Sequence, residues 1–340
     1  MSRNSAQNSS TVATVHDHEK SVQLSLRLNR WILKPIGAWP KSADLSWIEK
    51  FMYFLVNVIC ISLIGFLFVP CTVHMVFEVD DAYTILKILG HLAFCLMAFV
   101  KYVSMIWREN DIHMGIKQIE DDWTTTRHYS DRAIMIDNAK FGRRFVMISA
   151  TFHYGNAVFY YLVLPIMNKI TEDNGNLTYR PLVFPVARMI VDVRYSPANE
   201  IFFWGQLMSG LVAHAVTAGA CSLAAMLAMH AYGRLKVLAH WIEHLVDGRD
   251  DFCVSIDKRL IMIVQQHIRI LRFISHTDRI LREIAFVEIA GCTLNICLLG
   301  YYALTVRISC NKYVSQNVSL VFRVKLEIVA VQLQNIQQYA

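Results

Sequence analysis

The sequence lacks the common signatures of catalytic centres. It contains no glycine-rich phosphate loop, no His-Glu-x-x-His, no Gly-x-Ser-x-Gly and no Cys-x-x-Cys pair. His16, Asp17, His18 and Glu19 are residue types that bind metals, but their place in a polar N-terminal tail favours a solvated segment. We therefore expect no enzyme activity, no cofactor and no metal site.

Polar residues inside long apolar runs are the next candidates for function. Glu288 stands in such a run, and an ionised carboxylate costs about 2.5–3.5 kcal/mol at the centre of a transmembrane helix. We favour the interpretation that Glu288 lies near a helix end and reaches the headgroups; the alternative is a pair across helices or a polar cavity. His91, His153 and His214 can stay neutral, which suits interhelical hydrogen bonds better than ligand contacts.

An aromatic concentration lies near the predicted outer ends of two apolar runs. Such residues usually form the belt at a membrane interface, and a ligand pocket is the alternative. The residues concerned are Tyr154, Phe159, Tyr160, Tyr161, Phe202, Phe203 and Trp204.

The elements that must position these residues are membrane helices. The chain has 340 residues, of which 55% are hydrophobic and only 18% charged, with a mean hydropathy of +0.35, whereas soluble domains carry about 25% charged residues. The net charge of +6 is carried between the apolar runs. That placement indicates membrane topology signals and argues against nucleic-acid binding.

Five runs are long enough to cross a bilayer as helices, which needs about 20 mostly apolar residues. They predict an all-α, polytopic transmembrane bundle. The fourth run would reach roughly 50 Å against a hydrocarbon core of about 30 Å, so we expect it to tilt or to continue into the cytosol. In the second run, Lys87 and Lys101 lie near the ends, where they can reach the headgroups. The predicted spans are 51–73, 82–107, 145–167, 201–233 and 284–306.

The distribution of lysine and arginine predicts a cytosolic N-terminus. Seven basic residues precede the first span, none lies in the first connection, and the following connections hold seven, four and nine. Cytosolic connections carry the excess. The sequon at Asn176 falls in a connection that this topology places outside, so we expect glycosylation there. Met1–Lys20 has no apolar core of the length that a signal peptide needs, and we expect residues 1–23 to be a disordered cytosolic tail.

Two further segments show helical periodicity on the predicted cytosolic side. Leu24–Trp39 is basic and amphipathic and predicts an interfacial helix on the inner leaflet. Ile256–Glu283 predicts a long amphipathic helix that runs into the fifth span. Its apolar series is Leu260, Val264, Ile268, Leu271 and Ile274.

Several stretches of the chain resemble the insect odorant receptors, particularly those of bees, wasps and ants. The similarity runs from about Leu24 to Tyr302 and is specific in combination. It is carried by LNRWILKPIGAWP at 28–40, DNAKFGR at 137–143, DVRYSPANE at 192–200, GACSLAA at 219–225 and GCTLNICLLGYY at 291–302.

The resemblance implies a seven-span subunit in the plasma membrane of olfactory neurons. Such a subunit joins a shared co-receptor in a tetrameric, odorant-gated cation channel, whose last helix lines the pore. It binds a volatile odorant in the outer half of its second, third, fourth and sixth helices. Placed by depth on this chain, the pocket falls near His91, Cys95, Tyr154, Val158, Gln206 and Ser209.

The chain departs from the expected family pattern after Tyr302. Leu320–Ile336 is too short and too charged to span a bilayer, so only five of seven spans are expected and residues 307–340 form an atypical tail. We interpret the chain as an odorant receptor subunit. The alternatives are a truncated, non-signalling receptor chain and a G-protein-coupled chemoreceptor, which would have its N-terminus outside.

Overall fold

The computed structural model describes residues 22–23, 25–41, 46–126, 128–168, 170–171, 178–248 and 255–309. The predicted tail at 1–23 lies almost entirely outside this range, as does most of 307–340 and the cluster at His16–Glu19. The helices are α1 (25–33), α2 (Trp47–Phe77), α3 (Ala82–Trp107), α4 (Glu109–Thr125), α5 (Tyr129–Val158), a π-helix (Phe159–Val163), α6 (Leu164–Met167), α7 (Ala198–Glu243) and α8 (Ile256–Ser309).

The predicted all-α membrane fold is confirmed. Four helices of the described chain, α2, α3, α7 and α8, are long and apolar enough to cross a membrane. The remaining predicted span, 145–167, is helical along its whole length, from the second half of α5 through the π-helix to α6. Between α6 and α7 the structure pairs two short strands antiparallel, β1 (Ile170–Thr171) and β2 (Thr178–Tyr179).

The polar ends of α2 and α3 are fixed by residues that cap helices. Ser46 and Glu49 form a capping box at the start of α2. At the start of α3, the backbone N–H of Thr84 donates to the Asp81 carboxylate at 3.0 Å. Such contacts satisfy amide groups that have no partner within their own helix.

Helix α7 is the central element of the bundle. In its most apolar window 72% of the residues are buried, against 17–28% in α2, α3 and α8, whose apolar side chains mostly face outward. Small residues allow this central position, because they let neighbouring helices and side chains approach the α7 backbone. At Gly219, for example, a Cβ atom would lie 2.8 Å from Leu33 of α1. Residues 198–243 form one continuous helix, as expected for a fourth run that continues past the bilayer.

Helix α1 packs onto the bundle with its apolar face. Leu26, Leu33 and Ile36 are buried, whereas Trp31 is 70% exposed on the opposite side. The hydroxyl of Tyr102 in α3 donates to the carbonyl of Ile36 at 2.6 Å. The predicted interfacial helix is therefore attached to the membrane helices and leaves one side free for the headgroup region.

Lys101 and Glu288 form an ion pair between α3 and α8. Lys101 is completely buried and the Glu288 side chain is 22% exposed. The interpretation that these two residues reach the headgroups was therefore wrong. The structure instead contains the alternative given for Glu288, a pair across helices. Each charge compensates the other, which allows both to lie away from water.

The first half of α8, on the predicted cytosolic side, leaves its predicted apolar series uncovered. Leu260, Val264, Ile268, Leu271 and Ile274 are all at least 36% exposed. The buried residues of this half, among them Ile263, Ile270 and Phe273, lie on another face that packs against the rest of the chain. The segment is helical as predicted, but the series identified from the sequence does not face this chain's own core.

Candidate functional site

The candidate site is an apolar cluster in the predicted outer half of the bundle, which we call the outer cluster. It is built by α2, α3, the end of α5, the π-helix, the connection after β2 and the first turns of α7. Its buried members are Leu67, Cys71, Ile88, Leu92, Cys95, Ala157, Tyr161, Phe184 and Leu207.

Two tyrosines enter this region from the π-helix. Tyr161 is buried in the outer cluster, and Tyr160 packs against it. The wider turn of a π-helix shifts the register of side chains, which is why such turns occur often at functional sites. Tyr161 lies directly on the backbone of α7, where a Cβ atom at Gly210 would be 2.5 Å from its ring. The absence of a side chain at position 210 therefore makes the space that Tyr161 fills.

His91 is held in one orientation by two hydrogen bonds. Its Nδ1 lies 2.9 Å from the carbonyl oxygen of Lys87, which can only accept, so Nδ1 carries the proton. Nε2 is then an acceptor for the hydroxyl of Tyr160 at 3.0 Å. The His91–Tyr160 pair thus supplies a polar edge to an otherwise apolar region.

Phe184 closes the cluster from the connection that precedes α7. The carboxamide of Gln206 accepts from the Phe184 backbone N–H at 3.1 Å and donates to its carbonyl at 2.7 Å. The Phe184 ring is stacked with Tyr161 at 6.2 Å and meets His91 edge-on at 5.3 Å. Gln206 therefore holds the Phe184 ring in place, because its carboxamide satisfies both the N–H and the carbonyl of the Phe184 backbone.

Ser209 adds a buried polar group on α7. It is completely buried, and its Oγ has no hydrogen-bond partner among the described residues. An unpartnered hydroxyl at this depth is costly unless another group binds it. Farther along α7, the ring of His214 lies 4.8 Å from Phe94 and 6.0 Å from both Tyr161 and His153.

The structure brings some of the predicted site residues together and separates others. His91, Cys95 and Gln206 meet around Phe184 and Tyr161, and Ser209 is adjacent to Gly210 on α7. Tyr154 packs with the clusters nearer the predicted cytosolic side, and Val158 is 43% exposed. These two therefore do not join the outer cluster. Asn176 lies outside the described residues.

Phe184 is the main residue that the sequence analysis missed. Its only signal in the sequence is the apolar stretch Leu182–Ala187 within the connection between the third and fourth predicted spans. Tyr160 and Tyr161 were noted as aromatic residues, but the favoured interpretation placed them in an interface belt. Tyr161 is instead buried in the outer cluster, with Tyr160 packed against it, so the belt interpretation does not describe this pair.

Two cavities lie on the predicted cytosolic side, and neither suits a volatile ligand. One, of about 30 Å³ between α1, α4, α5 and α7, has room for only one or two water molecules. The other, about 470 Å³, is an open groove between α4 and α8. Its charged lining, including Lys117, Asp121, Arg269 and Arg272, disfavours an apolar occupant.

Comparison with known families decides the classification. The family model described as 7tm Odorant receptor matches residues 82–328. The chain belongs to the odorant receptor family. The match extends beyond Tyr302, after which we had expected the family pattern to stop. Membership of this family indicates a membrane receptor rather than an enzyme.

Solved structures of relatives share the fold of this receptor. The insect olfactory receptor OR5 from Machilis hrabei is 14% identical, with a TM-score of 0.68 over 92% of this chain and 78% of that chain. The same protein in complex with eugenol gives 15% identity and a TM-score of 0.69, with the same coverage. The search of curated proteins finds no match. At these identities the structures support the helical membrane fold, while the family is shown by the match along residues 82–328.

Proposed function

We propose that this receptor binds a small volatile molecule at the outer cluster and, with a co-receptor, gates a cation channel in the plasma membrane of olfactory neurons. The observation that carries the proposal is the chemistry of the cluster. Apolar and aromatic side chains lie around the hydrogen-bonded His91–Tyr160 pair. On α7, next to Gly210, the buried hydroxyl of Ser209 has no partner among the described residues. Pockets for small ligands have this composition: apolar walls with a few polar groups that fix orientation.

The ligand class follows from these groups. An aromatic or aliphatic molecule with one hydroxyl, carbonyl or ether oxygen would pack against Tyr161 and Phe184. It would place its oxygen near Ser209 or the His91–Tyr160 pair. The OR5 structure with eugenol supports a small organic ligand for this fold. A ligand of about ten heavy atoms gains limited binding energy, so we expect dissociation constants in the micromolar range, about 8 kcal/mol.

Ligand binding opens the channel if the ligand binds the open form of the receptor better than the closed form. Phe184 and Gln206 couple the cluster to the start of α7, the central helix. A ligand that displaces Phe184 would change the contacts of α7, and α7 in turn packs against α2, α3, α5 and α8.

Assembly with a co-receptor is supported by the uncovered face of α8. The exposed series Leu260, Val264, Ile268, Leu271 and Ile274 lies on a segment outside the predicted spans, where water would otherwise contact it. A continuous apolar stripe of this kind marks a helix that packs against another chain.

The test is expression in cells with and without the co-receptor, with responses to a panel of volatile aromatics measured by calcium imaging. We expect responses only with both chains. Phe184→Ala should shift the half-maximal concentration of an active odorant by about tenfold or more, since a buried aromatic contact is worth over 1 kcal/mol. The control is Phe159→Ala in the π-helix, because Phe159 is 55% exposed.

Two results would contradict the proposal. Retention of the chain inside cells despite the co-receptor would support the truncated, non-signalling alternative. Responses that persist without the co-receptor would favour signalling through G proteins.

A further inference from the structure

The last turn of α7 brings together three side chains that ligate metals. His240, Glu243 and His244 each offer one nitrogen or oxygen atom, and these atoms all lie within 4.8 Å of one another. The two imidazole rings are 4.5 Å apart between centroids. Residues three and four apart share one face of a helix, so the backbone itself fixes this arrangement.

The tautomer of His244 leaves a ligand nitrogen available. Its Nδ1 lies 2.9 Å from the carbonyl oxygen of His240, so Nδ1 carries the proton and donates. Nε2 then holds a lone pair. A histidine that donates one nitrogen to a backbone carbonyl while the other binds the ion is the usual arrangement at metal sites.

The carboxylate is already close to the other imidazole. Nδ1 of His240 is 3.7 Å from Oε2 of Glu243. Zinc ligands stand about 2.0–2.2 Å from the ion, so donors that share one ion are about 3–4 Å apart. Small side-chain rotations would therefore bring all three donors onto one ion.

The electrostatic surroundings favour a cation. The site lies at the C-terminal end of a 46-residue helix, where the helix dipole is negative. Lys236, one turn earlier, and Arg259, which contacts the residues just after this turn, each have other partners. Lys236 lies over the ring of Tyr232 at 4.7 Å, and Arg259 donates to the carbonyls of Leu245 and Val246 at 3.0 and 3.2 Å.

The site is accessible to solvent. His240 and His244 are partly exposed, and the Glu243 side chain is 72% exposed. An ion can therefore enter without any rearrangement of the bundle and can keep water as a further ligand.

We propose that His240, Glu243 and His244 bind a divalent transition metal, with zinc as the reference ion and water in the fourth position. Two imidazoles and one carboxylate suit zinc and its neighbours, whereas calcium and magnesium prefer oxygen ligands alone. The spacing His-x-x-Glu-His also occurs in a class of zinc hydrolases. Here Glu243 faces His240 as a ligand, so the site binds metal without a hydrolytic role. This goes beyond the sequence analysis, which expected no metal site.

The consequence of binding is a more stable C-terminal turn of α7. His244 immediately follows α7, and the next residues are held to α8 by Arg259. An ion that joins positions 240, 243 and 244 keeps the final turn of α7 from fraying. Because it binds the folded chain, it also raises thermal stability.

The test uses the full chain, purified in detergent and treated with a chelator. Zinc binding is measured by calorimetry, and cobalt by its visible ligand-field absorption. We expect one ion per chain at this site. His240→Gln with His244→Gln should weaken binding by about a hundredfold or more, and Glu243→Gln alone by about tenfold, since each removes ligands.

Two control variants separate this site from the other histidines of the chain. His267→Gln removes an exposed imidazole from α8 and should leave binding unchanged. His16→Gln with His18→Gln removes the ligating residues of the N-terminal tail and should also leave the site intact. Loss of the bound ion in the tail variant, or its retention in the His240/His244 variant, would overturn the proposal. Removal of Glu243 without any effect would exclude the carboxylate as a ligand.

Discussion

At the scale of single residues, the pair between Lys101 and Glu288 controls how α3 and α8 are joined inside the membrane. Lys101 has no access to water, so its ammonium group depends on Glu288 for compensation. Cys292, one turn along α8, adds a thiol 3.6 Å from the other carboxylate oxygen. Removing one charge leaves its partner buried and unpaired, which is more damaging than replacing both.

We therefore expect Glu288→Gln to destabilise the receptor by about 3–5 kcal/mol, the usual effect of breaking a buried ion pair. The double change Lys101→Met with Glu288→Leu should recover much of this loss, because no charge remains. The measurement is the midpoint of thermal aggregation of the purified protein, followed by size-exclusion chromatography. Lys87→Met on the exposed side of α3 is the matched control. A Glu288→Gln variant as stable as the parent would contradict this account.

Gly210 sets the position of Tyr161 in the outer cluster. Gly210→Ala places a Cβ atom 2.5 Å from the tyrosine ring, so Tyr161 or α7 must move. Overpacking of this kind costs about 1–3 kcal/mol. If the outer cluster binds the odorant, its half-maximal concentration should change by about tenfold or more. Dose–response curves with the co-receptor measure this.

The control for this change is Gly65→Ala in α2, where a Cβ atom would meet nothing within 4 Å. It should leave the dose–response curve and the surface level unchanged. Equal curves for the two variants at equal surface expression would place the odorant elsewhere.

At the scale of the elements, α4, α7 and α8 are tied together by Asp122. This carboxylate is buried on α4. It lies 3.0 Å from Nε2 of His230, 3.6 Å from Arg234 and 2.7 Å from Arg269. Burial alone would raise the pKa of Asp122, but the hydrogen bond from His230 and the nearby positive charges outweigh it and hold the pKa below its ordinary value.

Asp122→Asn should therefore reduce stability by about 3–5 kcal/mol at neutral pH, because it leaves buried cations uncompensated. The folded pKa is below the unfolded value of about 4. The contribution of Asp122 is thus fully present above that value and is lost as the pH falls through the folded pKa. Melting profiles between pH 7 and pH 3 measure both effects.

The stability difference between Asp122→Asn and the parent should accordingly shrink below about pH 4. The matched control is Asp121→Asn, one residue earlier on the exposed side of α4. If Asp121→Asn is as destabilising as Asp122→Asn, the three-helix network does not hold the elements together.

Hydropathy was sufficient to locate the helical runs of the five predicted spans, because each membrane helix must hide its backbone in a long apolar run. Helix α4 and the first half of α5, which are more polar, were not predicted. Neither hydropathy nor periodicity could identify partners across helices. Lys101 and Glu288 are 187 positions apart, and only the packing of α3 against α8 brings them together. The same limit applies at the candidate site. Phe184 lies in a connection without helical periodicity, so the sequence could not predict its contact with Gln206.

At the scale of the whole molecule, orientation links the separate features. Seven basic residues before α2 and nine between the fourth and fifth predicted spans indicate one side, and the sequon at Asn176 indicates the other. This orientation places the outer cluster toward the extracellular space, where volatile ligands arrive. It places the proposed metal site and the uncovered face of α8 on the cytosolic side.

Glycosylation tests this orientation, because the chain carries sequons on both predicted sides. Asn8, in Asn-Ser-Ser, precedes the first span, whereas Asn176, in Asn-Leu-Thr, lies between the third and fourth. Only sequons that enter the secretory lumen receive glycans. A further sequon, Asn317 in Asn-Val-Ser, follows the fifth predicted span and is removed by Asn317→Gln in every variant. We then expect one glycan, removable by a glycosidase and abolished by Asn176→Gln. Asn8→Gln should change nothing. A glycan on Asn8 instead would put the N-terminus outside, reverse the sides of the outer cluster and the α8 face, and favour the topology of a G-protein-coupled receptor.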